Sequence, residues 1–101
     1  GRRPAPGRAA RALECAVTRY LVMAMRRPGF DEAVIAPHIA VLDGLRAAGR
    51  LEMTGGFSDR SGGAYVLINV ASLDEAKAIA ARDPLALTGT SELTVYEWNT
   101  R

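Results

Sequence analysis

His38 is the chain's single histidine, and it stands inside an apolar stripe: three residues after Ile35, four before Leu42 and seven before Leu45. That spacing puts it on the inward face of a helix. Taken alone, it is most simply a core histidine satisfied by one hydrogen bond. An imidazole is also the side chain best suited to acid/base work near neutral pH. Asp83 is the second residue out of place, at the expected end of a later helix and just before Pro84. A carboxylate in the last helical turn faces the negative end of the helix dipole, at a cost of about 0.3–1 kcal/mol. It is therefore either solvated or held by a compensating partner. If both helices cover one face of a sheet, the two side chains can meet at the edge of the core. A carboxylate accepting from one imidazole nitrogen fixes the tautomer and leaves the other nitrogen as a general base.

Tyr20, Ser58, Tyr65 and Asn69 are secondary polar candidates, each more simply read as a strand or loop residue. The sequence holds no P-loop, no G-x-G-x-x-G and no nucleophile elbow. Gly55-Gly56 and Gly62-Gly63 are too short to cradle a phosphate and read as hairpin and bulge glycines. The lone cysteine, Cys15, excludes an intrachain disulfide and a multi-cysteine metal site. Neither a metal nor an organic cofactor is expected.

The elements that would position these residues follow from periodicity and breakers. Residues 19–25 (RYLVMAM) form an apolar run of strand formers ended by Arg26-Arg27-Pro28-Gly29, a turn. Asp31 can cap a helix running to about Ala48, with Gly49 as its stop and Pro37 either kinking it or starting it properly. Residues 51–58 alternate as a strand, residues 59–63 form a hairpin loop, and residues 64–70 return. Ser72 and Glu75 have capping-box spacing ahead of an alanine-rich helix that should end near Asp83. Residues 84–91 read as a loop, and residues 93–98 as a last strand.

Strand, helix, strand, strand, helix, strand is the α+β ferredoxin-like order βαββαβ, with both helices on one face of a four-stranded antiparallel sheet. Such a sheet should alternate apolar and polar residues. Residues 20–23 and 65–68 are apolar on both sides instead, so something must cover the second face. A second copy, giving a homodimer, is the simplest cover.

The length of 101 residues fits one domain. Residues 1–17 carry four arginines against one glutamate and read as a basic N-terminal extension; residues 18–101, the domain proper, carry nine basic and ten acidic side chains. The formal charge of +2 therefore belongs to the extension. The body offers no basic face for displacing counterions from phosphates, so no nucleic-acid partner is expected. No apolar run is long enough to cross a bilayer, and the first residues lack the apolar stretch of a secretory signal. A cytoplasmic protein is expected.

The stretch from His38 through Gly44 and Gly49 to Leu51 resembles the YciI-like (YCII-related) family, with its helical histidine, spaced leucines, glycine and following strand. Gly56, Glu75-Ala76, Asp83-Pro84, Gly89 and Trp98 follow in the family's order, so the resemblance covers about residues 18–99. It implies a ferredoxin-like fold that pairs as a dimeric α/β barrel, and an active-site His and Asp at His38 and Asp83. Two departures, Phe57 after Gly56 and Leu85 after Pro84, fall where a pocket wall is expected. Relatives on this dimeric architecture include cofactor-free isomerases, monooxygenases and dehydrochlorinases of small, often aromatic, molecules. By that analogy the expected function is cofactor-free proton transfer or elimination on a small molecule, aromatic or not, with His38 as general acid/base oriented by Asp83. The alternative is a non-catalytic dimeric ligand-binding or accessory domain in which the pair anchors a ligand, and a third reading is a purely structural pair.

Overall fold

A computed structural model describes residues 17–101. Strand β1 (Val17–Arg26) is longer than its apolar run, because β4 (Ser91–Thr100) pairs with it antiparallel along its whole length, from Val17 opposite Thr100 to Arg26 opposite Ser91. On its other side β1 pairs with β3 (Gly62–Leu67), which pairs in turn with β2 (Leu51–Gly56). The sheet order is β2-β3-β1-β4, antiparallel throughout, as the ferredoxin-like reading requires. A register shift between Leu51 and Met53 marks a bulge in β2.

Register decides which side chains meet the helices. Tyr20 lies opposite Leu67 and Val22 opposite Tyr65, and these four pack in one buried cluster with Leu42 of α1 (Ile35–Ala47) and Ala76, Ile79 and Ala80 of α2 (Leu73–Ala81). Both helices thus cover one face. The other face keeps Met53, Tyr96 and Trp98 exposed, at 60%, 51% and 47% of their surface.

Several boundaries differ from those the sequence predicts. Asp31 caps a short 3-10 turn (Glu32–Val34), accepting from Ala33 N–H, and the α-helix begins only at Ile35. Pro37 then sits in the first turn of α1, where a missing N–H leaves no bond unmade, and the helix needs no kink. Gly49, at φ +75°, ends α1: Gly49 N–H reaches Arg46 O and Arg50 N–H reaches Leu45 O, the paired bonds of a Schellman stop. Strand β3 starts two residues earlier than expected and stops at Leu67. Asn69 turns the chain at φ +57°, with its side-chain amide donating to Gly49 O. Ser72 caps α2 by accepting from Glu75 N–H, while the Glu75 carboxylate accepts from Ala71 N–H, one residue before the expected position. Residues 84–91 are not all loop: Pro84–Leu87 forms a short helix, α3. The basic extension lies outside the described residues, except Val17, which begins β1.

Candidate active site

Asp83 stands at a different kind of position from the one expected. Helix α2 ends at Ala81, and Asp83 adopts an extended conformation (φ −65°, ψ 132°) as the N-cap of α3, with Pro84 as the first helical residue. Its carboxylate accepts from Leu85 N–H at 2.9 Å. The charge therefore lies at the favourable, positive end of a helical turn. No helix dipole opposes the Asp83 charge, contrary to the expectation from sequence, although the residue does lie between the two helices.

Asp83 is fully buried. A buried carboxylate is costly unless its lone pairs are filled, and here three donors fill them. Leu85 N–H reaches Oδ1, Tyr65 O–H reaches Oδ2 at 3.0 Å, and His38 Nδ1–H lies 3.0 Å from Oδ1 and 2.9 Å from Oδ2. A carboxylate only accepts, so Nδ1 carries a proton, and in the neutral imidazole the lone pair then belongs to Nε2. The spacing from Ile35 to Leu42 on α1 turns His38 toward the sheet, as its place in the apolar stripe predicts, and leaves its side chain 17% exposed. Its ring lies 6.1 Å from that of Tyr65, tilted by 50°.

Tyr65 is more than a strand residue on a dimer face. It points toward the helices, and burial together with the neighbouring Asp83 charge pushes its phenol well above its ordinary value, keeping it a donor. The other secondary candidates do not join it. Tyr20 belongs to the core cluster, Ser58 is exposed beyond β2, and Asn69 holds the turn before α2.

His38 and Tyr65 line a cavity of about 290 Å³, near the lower end of the range for small-molecule sites. Its floor is where the sheet lacks side chains. Gly56 pairs with Gly63, and Gly63 with Ala24, a row of minimal residues on the helix-facing side. A Cβ on Gly63 would lie 2.4 Å from Gly55 O, so the backbone spacing itself demands glycine. The glycines read from sequence as turn formers thus make room for an occupant. Ile35, Leu42 and Leu85 add apolar wall. Of the two departures from the family pattern, Leu85 does line the cavity and Phe57 does not. Sequence reasoning missed Arg26, assigned to a turn. It continues the parity of Tyr20, Val22 and Ala24 and reaches the same cavity. Among the described residues no three His, Cys, Asp or Glu side chains cluster as metal ligands would.

The YCII-related domain family matches residues 18–99, all but the first residue of β1 and the last of β4. The chain belongs to the YCII-related family. This YCII-related domain is 49% identical over 79 residues to the uncharacterized protein YjpA of Bacillus subtilis (strain 168), covering 78% of this chain and 92% of that protein. Its fold is similar to that of the 5-chloro-2-hydroxyhydroquinone dehydrochlorinase TftG of Burkholderia phenoliruptrix AC1100, solved with 2,5-dihydroxybenzoquinone, at a TM-score of 0.64 and 24% identity. That likeness covers 80% of this chain and 93% of TftG. Among the described residues no helix of the YCII-related domain is long and apolar enough to cross a membrane.

Proposed function

We propose that this YCII-related domain is a small enzyme that needs no metal or organic cofactor and moves a proton on a ring-sized substrate, with His38 Nε2 as general base. One observation carries the reading: a histidine at the cavity has its Nδ1–H held by a fully buried carboxylate that two further donors lock in place. Such an arrangement presents a lone pair in a fixed direction, which a merely structural histidine does not require. In an elimination, Nε2 takes the substrate proton, the electron pair left behind forms the new double bond, and the leaving group departs from the adjacent carbon with its own pair. The imidazolium, stabilised by Asp83, then returns its proton to solvent. The size of the cavity and its apolar walls suit a single ring, and the dehydrochlorinase fold similarity gives the reading a concrete trial reaction. The active form is proposed to be a cytoplasmic homodimer closed over the face bearing Met53, Tyr96 and Trp98.

Chloride release from 5-chloro-2-hydroxyhydroquinone is the test. The wild-type protein should release chloride, and His38→Gln should lose that activity while keeping its fold. Undiminished turnover in His38→Gln would remove the proposed base. Ligand binding without turnover by any halogenated ring would favour the anchoring role instead.

A further inference from the structure

Among the described residues, two polar side chains of the cavity have no hydrogen-bond or ion-pair partner. Arg26 and Ser91 lie opposite each other in the β1–β4 register, and both line the cavity. The Arg26 guanidinium stacks on the Phe30 ring at 4.2 Å and forms no ion pair among the described residues. Ser91 is 3% exposed, and among the described residues its hydroxyl makes no hydrogen bond. A buried hydroxyl left unpaired is costly, as is a cation drawn toward an apolar wall, unless something in the cavity answers both. The remaining lining is apolar or glycine backbone, apart from Thr54, whose hydroxyl is spent on Ala64 O, and the His38–Tyr65 pair already bound to Asp83.

We propose that Arg26 and Ser91 form the anion-binding end of the cavity and that its ligand is a small aromatic carboxylate. A guanidinium offers parallel N–H donors that match the two oxygens of a carboxylate, and the serine hydroxyl supplies a further donor from the neighbouring strand. The Phe30 ring beneath the guanidinium fixes its plane. A flat ring attached to that carboxylate then rests over the floor made by Gly56 and Gly63. The inference rests on the cavity being a ligand site, as the proposed function holds, and names the class of molecule it takes.

Benzoate and its neutral isostere benzamide are the probes, followed by NMR titration of the full chain. Benzoate should bind about tenfold or more tightly than benzamide, the worth of one charge-assisted hydrogen-bonded pair. Arg26→Gln should abolish that preference. Arg26→Lys keeps the charge without the fork, and should weaken benzoate severalfold even if the glutamine variant fails to fold. Ser91→Ala should weaken benzoate severalfold while leaving the melting temperature unchanged or raised, because it deletes an unpaired buried hydroxyl. His38→Gln should keep the preference, so loss of catalysis and loss of anion recognition are read separately. Equal binding of the two probes, no benzoate binding at millimolar concentration, unchanged affinity in Ser91→Ala, or a preference that survives in Arg26→Gln and vanishes in His38→Gln would each overturn the proposal.

Discussion

Tyr65 donates its hydroxyl hydrogen to Asp83 Oδ2 at 3.0 Å, the same oxygen that lies 2.9 Å from His38 Nδ1. One residue comes from the middle of the sheet and the other from the helix packed over it, so the carboxylate joins the two layers at the cavity wall. With Leu85 N–H on Oδ1, the group cannot turn without breaking a buried bond. The imidazole it holds is therefore fixed in both tautomer and direction.

Replacing Asp83 by Asn should reverse that tautomer. The amide can present its NH₂ to Nδ1, which then accepts, and the proton moves to Nε2, where it blocks the base. Activity in the proposed reaction should fall by about 10³–10⁴, the scale seen when a catalytic histidine is held in the wrong tautomer. Nitrogen-detected NMR of the imidazole should show Nδ1–H in the wild type and Nε2–H in the variant. The same tautomer in both would contradict the argument.

Tyr65→Phe should cost about 1–3 kcal/mol of stability, because a donor to a buried charge is lost. It should also change the alkaline limb of the stability profile. The Tyr65 phenol is raised above its ordinary value of 10.0 in the folded state. Its contribution is therefore complete below pH 10 and is lost as pH rises beyond that value. Denaturant midpoints of the wild type should fall more steeply than those of Tyr65→Phe above pH 10. Parallel profiles would show that Tyr65 is not the group responsible.

Trp98 is the chain's single tryptophan and lies on the uncovered face of the sheet. Its fluorescence should shift to shorter wavelength on dimer formation and back on dilution. Trp98→Glu should yield a folded monomer by sedimentation. A wild-type protein that is monomeric at micromolar concentration would remove the dimer from the proposal.

A chain beginning at Val17 should melt within a few degrees of the full chain, since residues 1–16 offer little apolar surface to bury. Val17 itself should be kept, because its carbonyl accepts from Thr100 Oγ1 at the end of the β1–β4 ladder. A drop of many degrees would show that the extension packs on the body.

Strand order and helix placement were legible because the apolar patterns of β1, β3 and α1 are strong, and because two-sided apolarity in residues 20–23 pointed to a second, uncovered face. The site was half legible. His38 betrayed itself by standing in an apolar stripe, whereas Asp83, singled out as the end of one helix, is the cap of the next. The Asp-Pro pair that looked like a helix's end is also a helix's beginning, with Asp as cap and Pro as first residue. Arg26 and the glycines escaped because turn chemistry and cavity formation use the same residues. Only the register, which sets Gly56 beside Gly63 and Arg26 beside Ser91, distinguishes the two.

The placement of β1 between β3 and β4 has a consequence for biosynthesis. As the chain leaves the ribosome, β1 can pair with β3 once the hairpin is made, but its other edge waits for the last strand to emerge. Until then a ten-residue edge lined by Leu21, Val22 and Met23 stays open to any other nascent strand. Products shortened within β4 should therefore appear as insoluble material rather than as inactive soluble protein, and the yield of the full chain should depend on how quickly its final residues are made.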